Sequence, residues 1–246
     1  MLLLPGESGI RVEVRGGAEL GRVPQLSLSD LTVTVAPYSS PEERETHFLN
    51  TVGSGYWHPS AEDEVRFDPD SGQALSFVLH IPETTAPPAD APIGSDAPAV
   101  LLLPRPRPRH FAIPPSKVRH VPPDGSFLTC LWETESPDDT IRIAENFTLL
   151  ATGGRVCGWR LSDPERFLAT DPPRHQPEPP DSELGRALGT YFRTVDAAAA
   201  DKLDDEDPDL RRELESLRDS LDLDSGASTR RRSLVAAIDE LITFFF

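Results

Sequence analysis

The chain has 246 residues, of which 37% are hydrophobic and 26 are proline, and its formal net charge is −17 at pH 7. This length allows one large β-rich domain or two small ones, with a sizeable core. A chain this acidic repels phosphate backbones at long range, so we expect no nucleic-acid partner. The many prolines predict that much of the chain forms loops and extended linkers.

The composition also bears on location and source. The first four residues are apolar, but Pro5-Gly6 follows them directly. This run is too short for a signal peptide, and no stretch approaches the length of a membrane span. We therefore expect a cytoplasmic protein with no membrane partner. Arginine outnumbers lysine by 22 to 2, a bias that, with abundant alanine, aspartate and proline, is typical of a high-GC bacterial genome.

The clearest pattern in the sequence is a β-hairpin over residues 147–161. Two apolar runs flank Gly153-Gly154, a pair that takes positive φ angles at little steric cost. Residues 65–83 repeat this pattern, with Phe77 in the place of Trp159. We interpret both segments as β-hairpins. Their similarity is explained either by an internal repeat or by chance.

Further segments predict an α+β fold. Alternating or apolar runs predict more strands before residue 168, at residues 10–14, 26–35, 99–103, 127–132 and 141–143. After residue 181 the apolar period changes to about 3.6, which predicts three amphipathic helices. The predicted fold is a mainly antiparallel sheet or partly closed barrel over residues 9–168, followed by a C-terminal three-helix segment.

Proline-rich stretches suggest how the chain is divided. The expected parts are a β-rich domain at 1–170 with a proline-rich insertion at 82–98, a linker at 171–180, and an acidic helical segment at 181–246 packed on or beside the sheet. Two short helices are predicted within the β-rich part. One begins at Pro41 and runs through His47, Phe48 and Leu49 to Val52, and the other has Asp163 as its cap and Pro164 at its first position.

The first stretch that could carry chemistry is Gly53-Ser54-Gly55-Tyr56-Trp57-His58-Pro59. Glycines beside two large aromatic residues and a histidine are typical of a ligand-binding loop, although turn residues that pack aromatics onto a core look the same. Tyr56 and Trp57 are therefore candidate ligand-binding residues. His58 and Asp63 are candidate catalytic residues, because a histidine beside a carboxylate can perform acid–base chemistry.

A basic run is the first candidate partner surface. Its arginines, Arg105, Arg107 and Arg109, alternate with proline, which favours an extended polyproline helix that displays them outward. They could engage an acidic partner or the acidic C-terminal third of the same chain.

The C-terminus is the second candidate partner surface. The chain ends on Phe244, Phe245 and Phe246. Each phenylalanine side chain gains about 1.5–3 kcal/mol from burial. We therefore expect this triplet to dock on the sheet, on the other helices or on a partner chain.

Motifs for enzymes and metals are missing from the sequence. It contains no G-x-S-x-G, phosphate-binding glycine loop, H-E-x-x-H or paired C-x-x-C. The six histidines lack metal-ligand spacing, and the acidic run 204–207 is better explained as a helix cap than as a calcium site. The cysteines, Cys130 and Cys157, lie in apolar patterns that favour buried thiols over a disulfide. We expect no metal and no cofactor.

Two functional hypotheses remain. The first is a non-catalytic cytoplasmic accessory or regulatory protein, of an immunity-like kind, that binds a protein or peptide and that can also form a homo-oligomer. The second is a small cofactor-independent enzyme of a bacterial biosynthetic pathway, with Tyr56, Trp57 and His58 lining a sheet pocket.

Overall fold

The computed structural model describes residues 1–6, 9–55, 62–87, 95–169, 178–221 and 228–246. The strands in these ranges are β1 (Leu2–Leu3), β2 (Arg11–Gly16), β3 (Gln25–Ser27), β4 (Thr32–Val35), β5 (Val52–Ser54), β6 (Glu64–Phe67), β7 (Ala74–His80), β8 (Ser95–Leu102), β9 (His110–Phe111), β10 (Val118–His120), β11 (Phe127–Leu131), β12 (Asp139–Ala144), β13 (Phe147–Thr152) and β14 (Arg155–Ser162). The helices are α1 (Pro41–Leu49), α2 (Ser182–Thr194), α3 (Ala200–Asp204), α4 (Pro208–Asp219) and α5 (Thr229–Phe245), with single 3-10 turns at Pro164–Phe167 and Ala197–Ala199.

The strands form two mostly antiparallel sheets, which confirms the predicted α+β class. The larger sheet has eight strands in the order β1-β2-β8-β12-β13-β14-β11-β10, with β8 parallel to β12. Its edge strand β1 also forms one parallel bridge with β14, where Leu3 lies opposite Arg155. The sheet curls so that this edge strand meets an interior strand, but it is not a closed barrel.

The smaller sheet has six strands in the order β3-β4-β7-β6-β5-β9. All its pairings are antiparallel except that between β5 and β9. The hairpin β6–β7 belongs to this sheet, whereas the hairpin β13–β14 belongs to the larger one. The two similar sequence patterns thus form one hairpin in each sheet.

The inner faces of the two sheets pack against each other and form one core. Phe77 of the smaller sheet lies 5.7 Å from Phe147 of the larger sheet, and Phe147 lies 6.2 Å from Trp159, as measured between ring centroids. The same core includes Leu184 of α2 and Leu234 of α5, so the helical segment shares its apolar interior with the strands.

The three predicted C-terminal helices are present as α2, α4 and α5, and the short α3 lies between α2 and α4. Each long helix begins with a capping side chain that accepts hydrogen bonds from backbone N–H groups of the first turn: Asp181, Asp207 and Ser228. Helix α2 packs closely on the turn before β11. Gly125 has φ 68°, and a Cβ on it would lie 1.8 Å from the carbonyl oxygen of Gly185 in α2.

Two of the predicted local features differ from the structure. Asp163 does not cap a helix: its φ is 47°, in the left-handed region, and its side chain makes no capping hydrogen bond to the 3-10 turn that follows. The helix that begins at Pro41 ends at Leu49, where Asn50 forms the C-cap. Pro41 and Pro164 do occupy first positions, where the missing N–H is not needed.

The proline-rich stretches are only partly within the described residues. At the ends of the predicted insertion, Thr85 bridges Arg119 and Ser95 begins β8. At the end of the predicted linker, Glu178 pairs with Arg230 of α5 at 2.9 Å. Across the described ranges, no helix combines the length and the apolar composition needed to cross a membrane.

Candidate functional sites

The C-terminal helices and the β3–β4 turn enclose an apolar groove of about 380 Å³, which we call the helical groove. Its apolar lining includes Leu28, Leu31, Tyr191, Val195, Leu203, Leu241, Phe244 and Phe245. Its acidic lining consists of Glu83, Asp196, Asp204 and Glu240. None of the described residues that line the groove is basic. The groove therefore joins an apolar surface to a negative rim.

The three C-terminal phenylalanines lie in different environments. Phe246 packs on the core and lies 6.0 Å from the guanidinium of Arg211, as measured to the ring centroid. Phe245 is half-buried and meets Phe244 edge to face at 4.8 Å. Phe244 is 79% exposed although it lines the groove. The helices thus partly cover Phe245 and Phe246 and leave Phe244 in contact with solvent.

Tyr191 is the most deeply buried polar side chain of the groove lining, with 4% of its surface exposed. Burial above all raises the pKa of its phenol to about 12; Arg119 acts against this shift, and Glu240 contributes to it. Arg119 itself is fully buried and does not line the groove, although its charge interacts with the rim carboxylates Asp196 and Glu83.

A second, polar cavity lies between α1 and the outer face of the smaller sheet, and we call it the α1 cavity. Its volume is about 610 Å³. Hydroxyl and amide groups from β3, β4 and the loop before α1 line it, namely Gln25, Thr32, Thr34, Tyr38, Ser39 and Ser40. Charged groups line it as well, namely Asp30, Arg44, Glu62, Glu64 and His80.

Helix α1 covers this sheet face through polar contacts, since none of its residues is buried. Arg66 donates to the carbonyl oxygens of Phe48 and Thr51 at the end of α1, at 2.9 and 2.7 Å. His47 Nε2 lies 2.8 Å from Ser76 Oγ. Burial lowers the pKa of His47, and the nearby Arg66 lowers it further.

Asp63, the candidate catalytic carboxylate, is fully buried beside this cavity and is bound to His80. Its Oδ1 accepts from the backbone N–H of His80 at 2.7 Å and lies 2.9 Å from His80 Nδ1. Its Oδ2 accepts from Trp132 Nε1 at 2.9 Å. Burial raises the pKa of Asp63, whereas the hydrogen bonds from His80 and Trp132 lower it.

Glu64 follows Asp63 and lies under α1. Only 3% of its surface is exposed, and its Oε2 accepts from Arg44 Nη2 at 2.9 Å. Its Oε1 is buried and has no hydrogen-bond partner among the described residues. Burial raises the pKa of Glu64, and Arg44 and Arg66 oppose that shift. Burial and the charge of Glu64 in turn raise the pKa of Tyr38 to about 12.

Tyr56, Trp57 and His58 lie outside the described residues, so the enzyme hypothesis built on them gains no support from the structure. The glycines before them are explained by packing rather than by a ligand. A Cβ on Gly53 would lie 2.0 Å from the carbonyl oxygen of Val65, and one on Gly55 would lie 2.9 Å from Cγ of Glu64. Strand β5 therefore requires glycine because it approaches β6 so closely.

Among the described residues, the hydrogen bonds of the basic run go to neighbouring loops of its own chain and not to the acidic C-terminal third. Arg107 donates to the carbonyl oxygens of Leu103 and Pro69, at 2.9 and 3.0 Å. Arg105 donates to the carbonyl oxygen of Asp70 at 3.2 Å. These two arginines hold the turn between β6 and β7. The side chain of Arg109 is exposed.

Sequence reasoning missed His80 as the partner of Asp63, although a signal was present. In the predicted hairpin, Glu64 pairs with Val78, and continuing that register places Glu62 opposite His80. Asp63 therefore had to lie next to the end of β7. The acidic rim of the helical groove carried no comparable signal, because Glu83 lies more than a hundred residues before the other three carboxylates.

Comparison with known proteins finds no family model and no curated protein that matches this chain. Among the described residues, no group of three histidine, cysteine, aspartate or glutamate side chains is placed to hold a metal ion.

Proposed function

We propose that this protein is a non-catalytic binding protein whose helical groove holds a basic, amphipathic segment of a partner protein. The observation that carries the proposal is one groove that combines the exposed ring of Phe244 with four lining carboxylates and no basic lining residue among those described. Apolar contact would supply affinity, and complementary charge would supply orientation and faster encounter.

The size of the groove indicates what kind of segment fits. A volume of about 380 Å³ suits a few side chains rather than the surface of a domain. An amphipathic helix presents such side chains at positions i, i+3, i+4 and i+7, with its flanks free for lysine or arginine. The net charge of −17 adds a long-range attraction for a basic segment.

A second copy of this chain is a poorer occupant. A two-fold symmetric contact through the groove would bring two identical acidic rims together, and like charges in close contact repel. The proposal includes a bacterial cytoplasm as the setting, which is supported by the arginine-rich, lysine-poor composition and by two buried thiols, Cys130 and Cys157.

The proposal is tested with two fluorescent model peptides that share one leucine stripe. One carries lysine on its polar face, and the other carries glutamate at the same positions. We expect the lysine peptide to bind at least about tenfold more tightly in fluorescence anisotropy, and salt to weaken its binding. Equal binding of the two peptides, or binding of neither, would show the proposal to be wrong.

Variants then locate the binding surface. Phe244→Ala removes the exposed ring, and Glu240→Gln removes one rim charge. We expect each variant to bind the lysine peptide about five- to tenfold more weakly. Leu49→Ala is the matched control, because Leu49 is 74% exposed on α1 and does not line the groove. Unchanged binding by Phe244→Ala, or a dimer in light scattering that this variant abolishes, would contradict the proposed occupant.

A further inference from the structure

The α1 cavity contains a buried acceptor that the described residues leave without a donor. Glu64 is 97% buried, since its exposed fraction is 3%, and it lines the cavity. Oε2 is bonded to Arg44, but Oε1 has no hydrogen-bond partner among the described residues. A buried carboxylate oxygen that lacks a donor is destabilising, so such an atom beside a cavity indicates that a donor binds there.

The neighbouring groups define what kind of molecule could supply that donor. Nδ1 of His80 is engaged by Asp63, so Nε2 is the ring nitrogen left to meet a molecule in the cavity. Thr32 and Thr34 add hydroxyl groups that both donate and accept. A molecule that fits these groups carries several hydroxyl or N–H groups.

The charges that face the cavity favour a cation. The guanidinium of Arg44 is balanced by Glu64. Asp30 and Glu62 add two further carboxylates to the lining, and Asp63 lies behind His80. Arg66 lies behind Glu64 and donates to carbonyl oxygens at the end of α1 and in β5 rather than into the cavity. Among the described residues that line the cavity, carboxylates therefore outnumber guanidinium groups.

From these observations we infer that the α1 cavity is a binding site for a small hydroxylated amine, in which the ammonium group donates to Glu64 Oε1. This site is separate from the helical groove and does not depend on the function proposed for it. A cavity of about 610 Å³ accepts a molecule of the size of a monosaccharide or disaccharide.

The test compares three probes with the same six-membered ring and different charge: D-glucosamine, D-glucose and D-glucuronate. We expect saturable shifts of the His80 ring signals in NMR with glucosamine, and an affinity for glucose at least about tenfold lower, because a charge-assisted hydrogen bond is lost. Glucuronate is expected not to bind. Equal affinities for glucosamine and glucose, or a higher affinity for glucuronate, would overturn the assignment.

Two variants test the named contact. Glu64→Gln keeps the shape and an acceptor for Arg44 but removes the charge, and we expect at least a tenfold loss of glucosamine affinity. Asp30→Asn changes only the exposed rim, so it should fold normally and weaken binding by about two- to fivefold. Glu13→Gln is the control, because Glu13 also pairs with an arginine but lies on β2, away from the cavity. Unchanged affinity in a folded Glu64→Gln protein refutes the site.

Discussion

At the scale of single residues, burial determines the hydrogen bonds and pKa values of the polar side chains that line the two sites. The sequence makes Asp63 a candidate partner of His58. In the structure, the hydrogen bonds described for Asp63 join it to His80 and Trp132. Two N–H groups and the Nδ1 atom of His80 converge on one fully buried carboxylate, which fixes the ring of His80 at the edge of the α1 cavity. The same principle applies to Tyr191, whose burial raises its pKa to about 12.

The raised pKa of Tyr191 predicts how stability falls at high pH. The folded-state pKa of about 12 exceeds the ordinary value of 10.0. The unfolded chain therefore loses the phenol proton first, so the stabilisation is complete below pH 10 and is lost as the pH rises toward 12. We expect wild type to lose about 2 kcal/mol more than Tyr191→Phe between pH 9 and pH 11.5 in urea unfolding.

Absorbance at 295 nm checks the same prediction directly, since it follows tyrosinate formation. Tyr191→Phe should remove a component that titrates near pH 12. If both proteins lose stability in parallel as the pH rises, the phenol of Tyr191 does not ionise differently in the folded and unfolded states.

At the scale of elements, two helices are held on the strands in different ways. Helix α1 buries none of its residues and depends on polar contacts such as those of Arg66. Helix α2 has buried apolar residues that include Leu184, Leu188 and Phe192, and it touches the backbone near Gly125. Helix α2 should therefore be far more sensitive to small steric changes.

Gly125→Ala tests this close docking of α2. The new methyl group would meet the carbonyl oxygen of Gly185 at 1.8 Å, so α2 must move, and the positive φ adds strain. We expect a loss of at least about 3 kcal/mol in the free energy of unfolding, measured with urea.

Gly154→Ala is the matched control for that variant. Gly154 also has a positive φ, of 79°, but a Cβ there meets nothing within 4 Å. This substitution should cost only the conformational strain, about 1–2 kcal/mol. Similar losses in the two variants would mean that α2 is not packed tightly against Gly125.

At the scale of the whole molecule, buried arginines join parts that are distant in the sequence. Arg119 of β10 donates to Thr85 and to the carbonyl oxygens of Phe192 and Val195 at the end of α2. It therefore connects the edge of the larger sheet to the proline-rich segment and to the helices. Arg230 and Arg231 connect α5 to residues 178–183 in a similar way.

Arg119→Met tests how much this connection stabilises the fold. Methionine fills much of the same space but removes the guanidinium donor from the carbonyl oxygens of Phe192 and Val195, of which Phe192 keeps only a longer bond from Thr85 Oγ1 at 3.4 Å. We expect a loss of about 2–4 kcal/mol in urea unfolding, because each unsatisfied group costs about 1–3 kcal/mol. Arg193→Met is a control with a half-buried arginine on α2. A variant at Arg119 that is as stable as wild type would mean that the cost of burying the guanidinium offsets its hydrogen bonds.

The sequence by itself determined the features that depend on neighbours in the chain. Apolar periods located the hairpins β6–β7 and β13–β14 and the C-terminal helices, since both structures arise from contacts a few residues apart. Asp207 could be recognised as a cap for the same reason. The class of fold and the position of Asp63 beside the first hairpin followed from these patterns.

Only the tertiary structure decided which distant groups meet. The assignment of the two hairpins to different sheets, the donation from Trp132 to Asp63, and the acidic rim that joins Glu83 to Glu240 all link residues far apart in the chain. Such contacts depend on how whole sheets and helices pack, because a period of two or 3.6 residues shows which face is buried but not what covers it.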